Sequence, residues 1–91
     1  MYVEVITPDK KLYIGEANLV KLPGANGSFE ILKNHAPIIS LLTEGDVKII
    51  SSNNDIVHIG ITGGMAEVND NKVIILASGQ IETEPKDESE S

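Results

Sequence analysis

Residues 63–77 read Gly-Gly-Met-Ala-Glu-Val-Asn-Asp-Asn-Lys-Val-Ile-Ile-Leu-Ala, and this stretch is the clearest indication of how the chain folds. Two apolar segments flank the polar residues 69–71, which are typical of a turn because Asn and Asp hydrogen-bond to their own backbone. The second segment is rich in branched aliphatic side chains, which favour strands. The glycine pair at residues 63–64 permits a bend or bulge. The stretch therefore predicts a strand, a turn and a second strand.

Turn signals recur along the rest of the chain every eight to twelve residues or so, which is the spacing of a β-sandwich or barrel. The strongest loop signal is Pro-Gly-Ala-Asn-Gly at residues 23–27. Between the turns we count nine or ten short strands, with bends expected at Gly60 and at residues 63–64, and no segment with helical periodicity. The predicted strands cover residues 2–7, 11–22 (broken near Gly15 and Glu16), 28–32, 38–42, 47–50, 56–62, 65–68 and 72–77.

The composition agrees with one small all-β domain. The 91 residues include 20 valines or isoleucines, 7 leucines and 3 aromatic residues. Residues 82–91 differ from the rest, because they hold five acids, one lysine and no aliphatic or aromatic side chain. Such a segment cannot offset its ordering entropy by burial. We therefore divide the chain into a β domain at residues 1–81 and a disordered acidic tail at residues 82–91.

The charge balance and the missing residue types exclude several classes of function. Fourteen acids against seven lysines give a net charge of −7, so no basic patch is available for nucleic-acid phosphates. The absence of cysteine excludes disulfides, thiolate zinc sites and thiol chemistry. The aliphatic runs are far shorter than the ~20 residues of a membrane-spanning helix. The opening residues show no secretory signal, so we expect an intracellular domain.

No catalytic constellation is visible in the sequence. His35 and His58 are its only histidines, and we interpret His58 as a structural or solvent-facing strand residue. The loop at residues 23–27 lacks a GxGxxG pattern and a following helix to receive a phosphate, which favours an ordinary turn. We therefore predict no enzyme activity, no cofactor and no metal site.

A lipoyl or biotinyl carrier domain is the alternative, since such domains are also small acidic β-barrels with a modified lysine in a hairpin. Lys10 follows a turn signal but lies close to the N-terminus, whereas a carrier lysine sits mid-chain. Lys48 is mid-chain, but it belongs to a predicted strand and has no flanking methionines. An adduct on either lysine would favour the carrier.

Three stretches resemble the ε subunit of F-type ATP synthases, which is called δ in mitochondria. The first is Val-Ile-Thr-Pro-Asp at residues 5–9, followed by Gly15. The second is the glycine loop at residues 22–27 with Asn-His-Ala-Pro at residues 34–37. The third is Gly-Gly-Met-Ala-Glu-Val at residues 63–68 with the strand that follows it. Their order and spacing over most of the chain carry the resemblance.

The resemblance implies a flattened sandwich of about ten strands on the rotor of the synthase. In that family the domain packs against the γ subunit and sits on the membrane-embedded c-ring, so that ring rotation reaches the catalytic head. We accordingly expect a non-catalytic central-stalk subunit without cofactors. It would be peripheral to the cytoplasmic face of the cell membrane, and monomeric when isolated.

The segment that follows the glycine loop is expected to contact the rotor. Its assigned interface residues are Ser28, Glu30, Lys33, Asn34, His35, Ala36 and Pro37. Two interpretations of residues 34–37 stay open, a plain lead-in to the next strand or a loop that binds the rotor. Ser28 stands where many relatives have an acid that can lie near the c-ring, and Glu30 is a nearby acid that could substitute. The apolar side chains of residues 38–42 are either all core or partly a patch covered by γ.

Longer relatives continue after the last strand into two helices that restrain ATP hydrolysis and, in some cases, carry an ATP-binding motif. Residues 82–91 have no apolar side chain with which to form a packed helical face. We therefore expect no C-terminal helical hairpin. The subunit would couple rotation, but it would neither gate hydrolysis through this segment nor bind ATP.

Overall fold

The computed structural model describes residues 1–81, and the regular elements of this part are all strands. The strands are β1 (Tyr2–Ile6), β2 (Lys11–Leu22), β3 (Phe29–Leu32), β4 (Ile38–Leu42), β5 (Gly45–Ser51), β6 (Ile56–Ile61), β7 (Gly64–Asn69), β8 (Lys72–Ala77) and β9 (Gln80–Ile81). The all-β prediction is confirmed. The predicted disorder of residues 82–91, and the predicted lack of a helical hairpin there, lie outside the described residues.

The strands form two halves that are joined through β2. One half, called sheet A, has the order β4-β7-β8-β1-β2, and its β1 and β8 are parallel. The other half, called sheet B, has the order β3-β2-β5-β6-β9. The first part of β2 pairs with β1, whereas its second part lies between β3 and β5. Because one strand passes through both halves, the two sheets can close over a shared core.

The core is filled by the inward-facing side chains of both sheets. Burial alternates along β1, β7 and β8 of sheet A, and along much of β5 of sheet B. Branched aliphatic side chains suit a pleated, half-buried surface, so the residues that favour strands also fill the core. The largest fully buried side chains are Leu22, Ile31, Ile49, Ile61, Ile75, Val3, Val5, Val20, Val47, Val68 and Val73.

β2 is more regular than the sequence indicates. The break predicted at Gly15 and Glu16 is wrong, because β2 continues there as one strand of 12 residues. The irregularity lies between Ala17 and Leu19, where the register with β5 shifts. At this point β2 passes from sheet A into sheet B, and a local bulge lets the strand bend between its two sets of partners.

Two other strand predictions also need correction. β6 has no bulge at Gly60, which pairs in regular register with Asp46 on one side and Ile81 on the other. β9 is not predicted by the sequence, because two residues are too few to show alternation. It exists through its pairing with the last residues of β6.

The glycine pair and the polar turn of residues 63–77 behave as expected. Gly63 and Gly64 have φ values of 143° and 148°, which side chains rarely tolerate. A Cβ on Gly64 would also collide with the backbone of Leu76 in the paired strand β8. The turn between β7 and β8 places Asp70 and Asn71 at φ values of 52° and 59°, as in two-residue hairpin loops of type I′.

Candidate partner-binding surface

Sheet A exposes an apolar outer face. We define the apolar face as the exposed side chains Ile14, Ile39, Leu41, Met65 and Leu76, with the half-buried side chains Ile6 and Ile74. Five of the seven large apolar side chains that are exposed in residues 1–81 belong to it. Ile39 and Leu41 are the most exposed, at 69% and 67%. Scattered exposed apolar residues are normal, but a contiguous group marks an interaction site.

Strand register places these side chains side by side. Leu41 lies opposite Met65, and Met65 lies opposite Leu76. Leu76 in turn is paired with Ile6 of β1. A second row across the sheet consists of Ile39, Glu67, Ile74, Glu4 and Ile14. Because directly paired residues share a face at Cβ separations of about 5 Å, the two rows form one continuous surface.

The apolar face also carries acidic side chains. Glu4 and Glu67 lie within its second row, and Glu16 lies in the next row, opposite Tyr2. The Tyr2 hydroxyl donates a hydrogen bond to Oε1 of Glu4 at 2.8 Å. This bond, with smaller contributions from desolvation and from the charges of Glu4 and Glu16, raises the pKa of Tyr2 above its ordinary value of 10.0. A partner that combines apolar side chains with basic groups opposite these acids would complement this surface.

The turn at residues 33–37 borders the apolar face, because it leads directly into β4. The backbone N–H of His35 donates to the Leu32 carbonyl at 3.2 Å, and Asn34 has a left-handed φ of 63°. The backbone N–H of Asn34 donates to Oδ1 of Asn71 at 2.9 Å. The Nδ1 atom of His35 lies 2.7 Å from the carbonyl oxygen of Ala36, a contact in which the ring must donate. Five assigned residues therefore lie together here: Lys33, Asn34, His35, Ala36 and Pro37.

The two other assigned residues lie apart from this turn. Ser28 is exposed in the loop of residues 23–28, in which Gly24 bridges to Leu42 at the far end of β4. Glu30 is exposed on β3 and pairs with Lys21, so it belongs to the outer face of sheet B. The assigned residues lie within one stretch of ten residues, but β3 separates them into three places.

The outer face of sheet B is built differently. One row of it is apolar, and the next row is polar and charged. The apolar row consists of Leu32, Leu19, Ile50 and Ile56, and the polar row of Glu30, Lys21, Lys48 and His58. His58 is exposed, and its Nδ1 atom lies 2.6 Å from Oδ2 of Asp46. The structure thus places His58 on the solvent side of its strand.

The described residues contain no group of three His, Asp or Glu side chains that could hold a metal ion. Within residues 1–81, no helix is long and apolar enough to cross a membrane. Every buried side-chain nitrogen or oxygen in this part of the chain has a hydrogen-bond partner.

Comparison with known proteins identifies the family of this chain. Residues 1–83 match the family described as "ATP synthase, Delta/Epsilon chain, beta-sandwich domain". The chain belongs to this family. The match includes all nine strands of the described residues, so the resemblance read from the three sequence stretches is confirmed, as is the sandwich.

Curated relatives of this ε-family chain are ATP synthase ε chains. The chain from Campylobacter curvus is 36% identical over 90 residues, which span 99% of this chain and 70% of the relative. The chain from Chlorobaculum tepidum is 40% identical over 74 residues, which span 81% of this chain and 84% of the relative. The chain is therefore an ε-type subunit by sequence.

Similar folds occur in two solved mitochondrial ATP synthases. A chain of the Tetrahymena thermophila central stalk and c-ring structure superposes with a TM-score of 0.74 at 23% identity, over 89% of this chain and 65% of that one. A chain of the Euglena gracilis OSCP/F1/c-ring structure superposes with a TM-score of 0.76 at 19% identity, over 87% of this chain and 51% of that one. At these identities the likeness shows the fold. This ε-family chain spans between half and two thirds of those two chains.

Sequence reasoning left two features of this surface undetermined. Residues 38–42 are not all core, because Leu42 is buried whereas Ile39 and Leu41 are exposed. That γ covers the exposed side chains stays a prediction. Asn71 belongs to a recognised stretch, but nothing local indicates its bond to Asn34, 37 residues away. Both features depend on which strands become neighbours.

Proposed function

We propose that this ε-family chain is a non-catalytic subunit of the central stalk, which couples rotation of the c-ring to the catalytic head through γ. The observation that carries the proposal is the apolar face of sheet A. A contiguous apolar surface on a rigid sheet suits permanent attachment to another protein. A coupling subunit needs such attachment, because torque is transmitted only through contacts that do not slip.

The γ subunit is assigned to the apolar face. Burying a large aliphatic side chain completely contributes about 1.5–3 kcal/mol. Ile39 and Leu41 retain roughly two thirds of their surface for a partner, so together they can contribute a few kcal/mol to docking. Glu4 and Glu67 would form the polar part of the same interface, opposite basic groups of γ.

The c-ring is assigned to the loop at residues 23–28, which includes Ser28. This loop lies at the end of β4 that Leu42 occupies, whereas the turn at residues 33–37 lies at the other end. The loop can therefore meet a second partner while γ covers the face between the two ends. The similar chain from Tetrahymena belongs to a structure of the central stalk and c-ring, which supports these partners. In this arrangement the subunit is peripheral to the cytoplasmic face of the cell membrane.

The alternative of a carrier domain has less support. Lys48 lies within β5 and pairs with Lys21 and His58, away from any hairpin tip. Lys10 is exposed in the turn between β1 and β2, where a carrier lysine could stand. The family match favours the stalk subunit over the carrier. An intact mass without a lipoyl or biotinyl adduct on Lys10 is expected.

Co-purification of the tagged full chain from its own cells tests the proposal. We expect the wild-type chain to retain a γ subunit and an oligomeric c-ring. Leu41→Asp should reduce γ recovery at least tenfold, because it places a charge at one of the two most exposed side chains of the apolar face. Ile56→Asp is the matched control, since Ile56 is an exposed strand residue of sheet B at 57%.

The melting temperatures of both purified variants are measured in parallel with the co-purification. Because each substitution lies on an exposed side chain, the two variants should have similar melting temperatures. If the wild-type chain recovers no γ, the proposed function is wrong. If Leu41→Asp and Ile56→Asp reduce recovery equally, γ does not dock on the apolar face.

A further inference from the structure

One hydrogen bond connects the turn before β4 to the hairpin between β7 and β8. The backbone N–H of Asn34 donates to the side-chain Oδ1 of Asn71 at 2.9 Å. The two residues are 37 positions apart, and no strand pairing joins β3 to β7 or β8 in the described part of the chain. The bond is therefore a specific link between an exposed turn and the sheet.

Asn71 is itself held firmly. It occupies the second position of the tight turn between β7 and β8, with a φ of 59°. Its carbonyl oxygen accepts a hydrogen bond from the backbone N–H of Tyr2 at 3.1 Å, which ties the turn to the start of β1. The amide oxygen that reaches Asn34 thus projects from a fixed part of sheet A.

The turn that donates this hydrogen bond has few restraints of its own. Lys33, Asn34, Ala36 and Pro37 are exposed, and the turn is closed by the single backbone bond from His35 to Leu32. Within the described residues, the bond to Asn71 is the one hydrogen bond that joins residues 33–37 to sheet A. An exposed turn with so few contacts opens at little free-energy cost.

The backbone conformation alone does not require an asparagine at position 71. Glycine adopts a left-handed φ at least as readily as asparagine does. The presence of asparagine at position 71 is therefore explained by the hydrogen bond that its side chain accepts from Asn34. Its neighbour Asp70 has a similar φ of 52°, yet its side chain makes no hydrogen bond within residues 1–81. The two residues therefore form a natural pair of test and control.

We propose that Asn71 is a positioning residue, which fixes residues 33–37 at the edge of the apolar face so that a docking partner meets a preorganised loop. This inference rests on the proposed docking of γ. A loop that is already ordered does not have to be ordered at the moment of binding, and the affinity rises accordingly. A typical neutral hydrogen bond is worth about 0.5–1.5 kcal/mol, so losing it should weaken γ binding about two- to tenfold.

Three full-length variants test this role. Asn71→Gly removes the acceptor and keeps the left-handed turn, whereas Asn71→Asp keeps an acceptor oxygen at the same position. Asp70→Gly makes an equivalent backbone change without touching the loop. Two quantities are measured for each, the hydrogen-exchange rate of the Asn34 amide in the isolated chain and the affinity for purified γ. The affinity is also measured in ~1 M salt, where the Debye length is about 3 Å. Under this condition salt suppresses the electrostatic effect of the charge that Asn71→Asp adds.

Asn71→Gly should accelerate exchange of the Asn34 amide several-fold and weaken γ binding two- to tenfold. Asn71→Asp should keep the exchange rate and the γ affinity close to their wild-type values. Asp70→Gly should leave both quantities unchanged. An unchanged exchange rate in Asn71→Gly would show that the bond does not hold the loop in solution. Accelerated exchange with unchanged affinity would overturn the positioning role, and so would an affinity that Asn71→Asp does not restore. If the wild-type chain does not bind γ, the proposed function fails, and the exchange data alone still decide whether Asn71 holds the loop.

Discussion

The outer faces of the two sheets differ in how many apolar side chains they expose and in how these side chains are grouped. On sheet A the exposed apolar side chains fill one row and part of a second, and Ile39 and Leu41 are each about two thirds exposed. On sheet B the apolar side chains form one row, of which Leu32 and Ile56 at the two ends are exposed. The row beside it is polar and charged. Sheet A therefore exposes a wider apolar surface than sheet B does.

The difference originates in β4, which is the edge strand of sheet A. A half-buried strand normally alternates apolar residues toward the core with polar residues toward water. β4 buries Leu42 but directs Ile39 and Leu41 outward. Its free edge is partly covered by the glycine loop, since the Ala25 N–H donates to the Leu41 carbonyl at 2.9 Å. Both outward side chains remain exposed within residues 1–81.

The largest effect is expected from truncating a core residue directly beneath the apolar face. Ile75 is fully buried, whereas its neighbour Ile74 lies on the outer face of β8. Ile75→Ala should lower the free energy of unfolding by about 2–5 kcal/mol, because it removes buried contacts and leaves a cavity. Ile74→Ala should cost about 1 kcal/mol or less and weaken γ binding instead. Urea unfolding followed by circular dichroism measures both losses, and equal losses would contradict the assignment of the two faces.

A smaller effect is expected on the outer face of sheet B. The Asp46–His58 pair is half exposed, and exposed pairs of this kind contribute about 1 kcal/mol at most. Asp46→Asn should therefore lower the free energy of unfolding by less than about 1 kcal/mol and leave γ recovery unchanged. Asp55→Asn makes the same charge change without a side-chain partner in the described residues and serves as the control. Loss of γ in Asp46→Asn alone would place part of the interface on sheet B.

The smallest effect concerns Glu4, an acidic side chain in the second row of the apolar face. The hydrogen bond to Glu4 holds the pKa of Tyr2 above 10.0, so the folded protein keeps the phenol protonated at higher pH than the unfolded chain does. The stabilisation is fully present below the unfolded pKa and is lost as the pH rises through the folded pKa. In a Tyr13→Phe background, ultraviolet titration reports Tyr2 alone. Glu4→Gln should lower that pKa, and an unchanged titration curve would show that the bond is absent in solution.

Most of the fold could be predicted from local patterns. The turns at residues 23–27 and 69–71 and the bend at residues 63–64 follow from side chains that favour particular backbone conformations. The predicted break in β2 was wrong because glycine in a strand can also pair regularly, and the change of partners occurs at Ala17 to Leu19 instead. β9 could not be predicted, since its two residues become a strand only by pairing with β6.

The candidate site was less predictable than the fold. The sequence identified residues 33–37 as a loop beside a strand, and the structure places them at the edge of the apolar face. Ser28 and Glu30 share that segment, but the structure places them at the other end of β4 and on sheet B. Neighbours along a chain are separated wherever a strand intervenes, so a run of residues does not define one surface.

Local sequence features were sufficient to recognise the family, the class of fold and the side chains available to the core. These depend on composition, turn residues and alternation, which act locally. The three-dimensional arrangement was needed to show that Ile39 and Leu41 face outward, that Met65 and Leu76 lie beside Leu41, and that Asn71 reaches Asn34. Each of these facts depends on which strands pair and in which register, because a shift of one residue turns every side chain to the opposite face. A tight turn sets the register within a hairpin such as β7 and β8, but the register of β4 on β7 depends on contacts between distant parts of the chain.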